Sequence, residues 1–291
     1  MAEWVADKQV LITGASSGIG LAGAQELARR KAKLAIVARS CQRGEQAAQR
    51  IRAAAGGEAQ VDVLIADLGS QSSVRALAEQ VIERYPRLDL LINNAGALYR
   101  TRQLSEDGVE LTWAVNHLAP FLLTNLLSDR LKQSAPARVI TTASDAHRGA
   151  HIPFDDIGAE RSYKAFGFSR YGQTKLANIL FTAELARRLQ GSGVSANCFH
   201  PGVVASGFNR NNGALMKVVM SAIKPFSRSI EKGAETMVWL ADSAAISEQS
   251  GGYYEDMHPG KRSRAAQDQD SAQRLWKLSE QQVGLAAQSA A

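Results

Sequence analysis

The stretch Thr13-Gly14-Ala15-Ser16-Ser17-Gly18-Ile19-Gly20 narrows the folds open to this chain more than any other. Residues 8–13, before it, are few and rich in β-branched side chains; the run after it, to about residue 31, is apolar, Ala-rich and helical in character. Strand, glycine turn and helix, in that order, is the setting in which glycines mean phosphate binding. Glycines let the backbone turn tightly and approach a pyrophosphate, while the helix N-terminus offers N–H groups and a positive dipole end. Gly14, Ser16, Ser17, Gly18, Ile19 and Gly20 are therefore candidate cofactor contacts. The spacing is G-x-x-x-G-x-G rather than the commoner G-x-G-x-x-G, so the turn differs while the mechanics stay the same.

The rest of the chain repeats the alternation. Strands are expected at residues 33–38, 61–66, 89–92, 137–142 and 194–199, and helices at 41–54 and 70–85. A long helical region at 106–131 should kink at Pro120, which lacks an N–H. This pattern predicts an α/β fold, a doubly wound parallel sheet of the Rossmann type. With no repeat and no convincing linker, residues 1–291 are taken as a single domain. Residues 146–170 have no clean period and are expected to be an inserted loop; a C-terminal amphipathic helix is expected at about 271–286, with Leu275, Trp276, Leu278 and Val283 inward.

In such sheets ligands gather at the carboxyl ends of the strands, where Arg39, Asp67 and Asn94 fall. NAD-specific sites of this type place a carboxylate on the ribose 2′-hydroxyl, yet no Asp or Glu occurs between Lys33 and Gly44. The Arg39 guanidinium suits a 2′-phosphate instead, so NADP(H) is expected over NAD(H).

A second feature is chemical. Tyr171 and Lys175 are four residues apart, one turn on the same face of a helix that the following residues favour. A free phenol titrates near ~10, and an ammonium about 4 Å away would favour the phenolate by about 4 kcal/mol at an effective dielectric of ~20, before desolvation. The expectation is a phenol acidified enough to exchange a proton at neutral pH. Gly172 weakens that helix and signals that something approaches its backbone closely.

Composition excludes several classes. The hydrophobic share of 45% and charged share of 21% are those of an ordinary globular chain. Cys41 and Cys198 are the only cysteines, which fits a reducing, cytoplasmic setting. The N-terminus has no signal-peptide pattern, and no apolar run is long enough for a transmembrane segment. The net charge of +6 is spread along the chain and gives no footprint for nucleic acid. His147 and His151 have metal-ligand spacing for a helix, but Gly149 and Pro153 oppose that helix, so no metal is expected.

Taken together, Thr13-Gly14-x-x-x-Gly18-Ile19-Gly20, Asn93-Asn94-Ala95-Gly96, Ser144, Tyr171-x-x-x-Lys175 and Pro201-Gly202 resemble the short-chain dehydrogenase/reductase family, in the family's order, over roughly the first 240 residues. The resemblance implies Tyr171 as general acid/base and Ser144 as the group polarising the substrate oxygen. Lys175 would hold the nicotinamide ribose, and Asn116 would support a water relay behind it. It further implies Asp67 and Leu68 at the adenine, Asn94, Ala95 and Gly96 at the adjoining ribose, and Pro201, Gly202 and Val204 at the nicotinamide. Ser206 stands where the family commonly has Thr. Ser144 and Tyr171 are 27 residues apart, a long gap similar to the retinol dehydrogenase and protochlorophyllide reductase branch. The insertion leaves monomer and homodimer both open.

The expected activity is reversible NADP(H)-dependent hydride transfer on a lipophilic aldehyde or ketone, retinal-like, steroid-like or polyketide-like. Residues 213–226, rich in Leu, Met, Val and Ile, would form a lid at about 205–230. An ordinary core helix, or one lying on a membrane surface between Lys217 and Lys224, are the alternatives for that segment. For the activity, a C=C reductase and a non-catalytic NADP(H)-sensing protein are the alternatives.

Overall fold

The computed structural model describes residues 4–204 and 227–285. Ser206 and most of the expected lid lie outside the described residues.

The alternation yields β1 (Gln9–Thr13), α1 (Gly18–Arg29), β2 (Lys33–Ala38), α2 (Cys41–Ala54), β3 (Val61–Ile65), α3 (Gln71–Arg84) and β4 (Leu90–Asn93). After a connection come α4 (Leu111–Trp113), a π turn (Ala114–Leu118), α5 (Ala119–Leu126), α6 (Ser128–Gln133) and β5 (Ala137–Thr142). Then follow α7 (Phe168–Arg188), β6 (Val194–His200), α8 (Ile230–Asp242), β7 (Tyr253–Glu255), β8 (His258–Pro259) and α9 (Gln269–Gln282).

The strands form one eight-stranded sheet in the order β3-β2-β1-β4-β5-β6-β7-β8. Every pairing is parallel except β7 with β8. The order reverses between β1 and β4, which opens a crevice at the carboxyl ends of those strands. Helices cover both faces, so β4, β5 and β6 are buried throughout. The pleat sends Val10, Ile12, Ile36 and Ile92 to the α1, α2 and α8 side, and Leu11, Val37, Leu91 and Val139 to the α3, α5, α7 and α9 side.

Three differences from expectation have local causes. The region at 106–131 is broken rather than continuous, and the kink expected at Pro120 takes the form of the π turn just ahead of it. Pro120 brings no N–H to the Asn116 carbonyl, so the backbone loosens by one residue per turn there. Next, β7 and β8 extend the sheet beyond the expected strands; at three and two residues they are too short to show a period. Finally, Leu278 on α9 is half-buried, and Ser279 turns inward instead, bonded to His117 Nε2 at 2.8 Å.

Candidate active site

The sequence-selected residues lie mostly in the turns just past the carboxyl ends of β1 to β6, with Asn116 on the π turn and Tyr171 and Lys175 on α7. In the glycine turn Gly14 has φ +69° and Gly18 φ +58°, the left-handed region that glycine alone enters freely. A Cβ on Gly14 would sit 2.8 Å from Ala95 Cα, so the turn is pressed against the 93–96 segment. Asn94 fastens the two: its N–H donates to Thr13 Oγ1 at 3.0 Å, and its Nδ2 to the Thr13 and Gly14 carbonyls at 3.0 and 3.2 Å. Thr142 Oγ1 donates to Asn94 Oδ1 at 3.3 Å, tying in β5 as well.

The turn leaves the N-terminus of α1 suited to an anion. Ser17 caps it without a side-chain hydrogen bond, and the first turn holds no acidic residue. Ser16, Gly18 and Ile19 are half-buried and Ser17 is exposed. Arg39 is exposed at the end of β2, close enough to Tyr99 to act on its phenol. Asp67 Oδ1 accepts from Gly69 N–H at 2.9 Å, shaping the turn in which Leu68 is half-buried. At the other end of the crevice Pro201, Gly202 and Val204 are half-buried, and a Cβ on Gly233 of α8 would meet both Val204 Cγ2, at 2.5 Å, and Ile19 Cγ2, at 3.0 Å. The glycine turn and the 201–204 segment therefore converge. An elongated anionic dinucleotide fits this donor set: backbone N–H groups and hydroxyls midway, a guanidinium at one end, and apolar side chains at the other.

Tyr171 and Lys175 share a face of α7, with Lys175 Nζ 5.4 Å from the Tyr171 ring centre. Tyr171 is hydrogen-bonded to Ser144, which stands just past the end of β5. Lys175 is buried and donates to the Thr142 carbonyl at 2.9 Å, a bond shared with Asn178 Nδ2 at 3.2 Å. Asn116, fully buried in the π turn, clasps Ala97 both ways: Oδ1 accepts from its N–H at 2.7 Å and Nδ2 donates to its carbonyl at 2.9 Å. Nδ2 also donates to Thr174 Oγ1, whose hydroxyl donates to the Tyr171 carbonyl at 2.7 Å. Gly172 faces the Ala146 carbonyl, which a Cβ would approach to 2.6 Å; this is the close approach that its place in the helix signalled.

Electrostatically the pair differs from expectation. Burial pushes the Tyr171 phenol up to about 12, against the pull of its Ser144 hydrogen bond. Burial also pushes Lys175 down to about 8. Burial rather than mutual charge governs both groups: in the protein alone Tyr171 is a neutral phenol, a proton donor, at pH 7.

Some groups here carry no sequence signal. Glu110 and Arg170 form a fully buried ion pair at 2.7 Å, with the guanidinium 4.6 Å from the Trp113 ring centre. Glu110 caps α4 through the N–H groups of Thr112 and Trp113, both at 2.9 Å, while Arg170 Nη2 donates to the Ile157 carbonyl of the insertion. The pair thus joins the helix start that leads to Asn116 with the residue before Tyr171. Neither residue belongs to a periodic pattern, which is why the sequence hid it. His147 is buried with a hydrogen-bond partner on each ring nitrogen, and His151 is exposed. Asp145, His200 and Glu255 bring ligand-type atoms within 4.8 Å of one another. Asp145 Oδ1, however, already accepts from Tyr253 and Arg148, and its N–H donates to His200 Nδ1.

Among the described residues no helix is long and apolar enough to cross a membrane. The family profile described as short chain dehydrogenase matches residues 8–216. The chain is 43% identical over 279 residues to retinol dehydrogenase 12 of Mus musculus, covering 96% of this chain and 87% of that one. It is 40% identical over 294 residues to human retinol dehydrogenase 14, with the same coverage of 96% and 87%. An uncharacterized protein from Mycobacterium paratuberculosis has a similar structure, with TM-score 0.77 and 34% identity over 96% of this chain and 94% of that one. A short chain dehydrogenase from Burkholderia cenocepacia in complex with NADP gives TM-score 0.68 and 25% identity over 86% and 96%.

Proposed function

The chain belongs to the short chain dehydrogenase family and is an oxidoreductase acting on alcohol and carbonyl groups; on that premise we propose that it reduces a lipophilic aldehyde or ketone with NADPH, Tyr171 supplying the proton. The observation that carries the reading is the meeting of Ser144, Tyr171 and Lys175 beside the glycine turn. When bound, the nicotinamide supplies the hydride. Ser144 Oγ hydrogen-bonds the substrate oxygen and orients it toward Tyr171. As negative charge grows on that oxygen, the Tyr171 O–H donates its proton, and the Lys175 ammonium stabilises the phenolate left behind. Asn116 supports a water relay behind Lys175 through its carbonyl, which Pro120 leaves without a regular helical donor.

Gly14, Ser16, Ser17, Gly18, Ile19 and Gly20 hold the pyrophosphate in this reading. Asp67 and Leu68 flank the adenine, Asn94, Ala95 and Gly96 the ribose, and Pro201, Gly202 and Val204 the nicotinamide; Ser206 contributes a hydroxyl to cofactor binding. Arg39 pairs with the 2′-phosphate and sets the preference for NADP(H). A lipophilic substrate is supported by exposed apolar side chains close in sequence to the site residues. Phe168, 46% exposed, lies three residues before Tyr171 on its helix face, and Val203 beside the nicotinamide segment is 57% exposed. The retinol dehydrogenases it resembles are named for one such alcohol. The unpaired thiols Cys41 and Cys198 are in keeping with a cytoplasmic location.

The test is a panel of lipophilic aldehydes, ketones and enones with NADPH or NADH, following cofactor absorbance. Carbonyl turnover with NADPH preferred is expected, and Arg39→Asp should lower kcat/KM for NADPH about tenfold or more while sparing NADH. Unchanged preference in that variant would refute the role of Arg39. Consumption of NADPH with enones alone would point to C=C reduction.

A further inference from the structure

The turn that carries Ser144 is gripped from behind. Ser144 caps the short 3-10 turn Asp145–His147, its Oγ accepting from Ala146 N–H at 3.1 Å. Within that turn His147 is fully buried, and each ring nitrogen has a partner. Nδ1 lies 2.7 Å from the Ser144 carbonyl, which can only accept; Nε2 lies 3.2 Å from the Ser263 N–H, which can only donate. The two partners therefore fix one neutral tautomer, protonated at Nδ1. The ring stands edge-on to Tyr253 at 5.3 Å, and the Tyr253 hydroxyl donates to Asp145 Oδ1 at 3.0 Å. Arg148 donates to the same carboxylate and to the Lys261 carbonyl. The segment from Tyr253 to Ser263, remote in sequence from every family motif, thus straps the Ser144 turn to the end of the sheet.

We propose that His147 is a positioning residue for Ser144: its Nδ1–H holds the Ser144 carbonyl while its Nε2 anchors the ring to the Ser263 backbone, setting where the Ser144 hydroxyl stands relative to Tyr171. The proposal rests on Ser144 being the group that holds the substrate oxygen. A buried histidine kept only for packing needs neither nitrogen satisfied by a functional turn, whereas here one of the two bonds ends on the catalytic residue's own peptide. This is the logic by which outer groups orient inner ones at metal and catalytic sites.

Three variants separate the two bonds. His147→Phe keeps a ring against Tyr253 and removes both nitrogens. His147→Asn keeps an amide N–H near the Nδ1 position, and His147→Gln keeps an acceptor near Nε2. With NADPH and retinal as probes, kcat should fall about 10- to 100-fold in the Phe and Gln variants and stay within about threefold in the Asn variant. KM for NADPH should be unchanged in all three, and the melting temperatures of the Asn and Gln variants should be alike, since each loses one bond. Independently of turnover, nitrogen NMR of histidine-labelled protein should find His147 protonated on Nδ1 and bare on Nε2. A proton on Nε2, wild-type kcat in the Phe variant, or equal loss of kcat in the Asn and Gln variants would each overturn the proposal. Full turnover in a Ser144→Ala variant would instead refute the reading of Ser144, whatever tautomer His147 shows.

Discussion

The two faces of the sheet are made of different material. Under α1, α2 and α8 the core is Val, Ile, Leu and Ala almost throughout. Buried charge on that side keeps to the amino-terminal edge of the strands, where Asp242 pairs with Arg30 at 2.7 Å and Arg138 donates to the Leu240 carbonyl. Under α5, α7 and α9 the core is aromatic and aliphatic but also holds Asn116, His117, Arg170, Lys175 and Asn178, all buried. Polar groups in such a place are costly unless paired, and most of these are paired with backbone carbonyls or with each other. One face is built for stability; the other sacrifices some of it to hold a proton donor and an ammonium out of water.

The largest expected effect is on the polar face. Glu110→Gln leaves the Arg170 guanidinium buried without its counter-charge and should cost about 3–5 kcal/mol in denaturant unfolding. Adding Arg170→Met should recover much of that. A Glu110→Gln protein of wild-type stability would mean the pair is not dry, and would weaken the contrast between the faces.

Leu27→Ala on the apolar face removes a fully buried side chain and should cost about 2–5 kcal/mol, with kcat unchanged below the melting transition. A fall in kcat there would break the comparison outright.

Lys175→Met should have the smallest effect and the opposite sign. The folded protein holds Lys175 at about 8 against an ordinary 10.5, so the unfolded chain binds more protons between those values. The cost of burying the ammonium is full below pH 8 and gone above 10.5. The variant should therefore be more stable than wild type by up to about 3 kcal/mol at neutral pH, converging with it as pH rises. The Thr142 carbonyl keeps its Asn178 donor throughout. Turnover should be lost while stability is gained, and a destabilised variant would show that Lys175 is not held at a cost.

The difference between the faces also explains what could be read from the sequence. β2, α2 and β5 fall where periodicity puts them, because burial on one or both sides imposes a regular pattern on every residue. The glycine turn was legible because left-handed backbone and close approach leave glycine little alternative. Ser144, Tyr171 and Lys175 were legible as a spaced set and Asn116 through the resemblance alone; Ser144 bonds Tyr171, and Asn116 reaches the Tyr171 carbonyl through Thr174. The clamp of Glu110 on Arg170 and the anchoring of His147 to Ser263 were not: they join residues 60 and 116 positions apart, each through one side chain, and a single contact leaves no period. The acidified phenol was argued from charge alone, before the cost of removing water from both partners could be set against it.

The central claim is that the Tyr171 hydroxyl delivers the proton, while the glycine turn and Arg39 carry most of the hold on a cofactor that Tyr171 and Lys175 also touch. Tyr171→Phe, assayed with NADPH and the best carbonyl of the panel beside a fluorescence titration of NADPH, tests it most directly. Turnover lower by about 10²- to 10⁴-fold, with NADPH affinity within about twofold of wild type, is the result expected. Turnover near the wild-type rate in that variant would contradict the account.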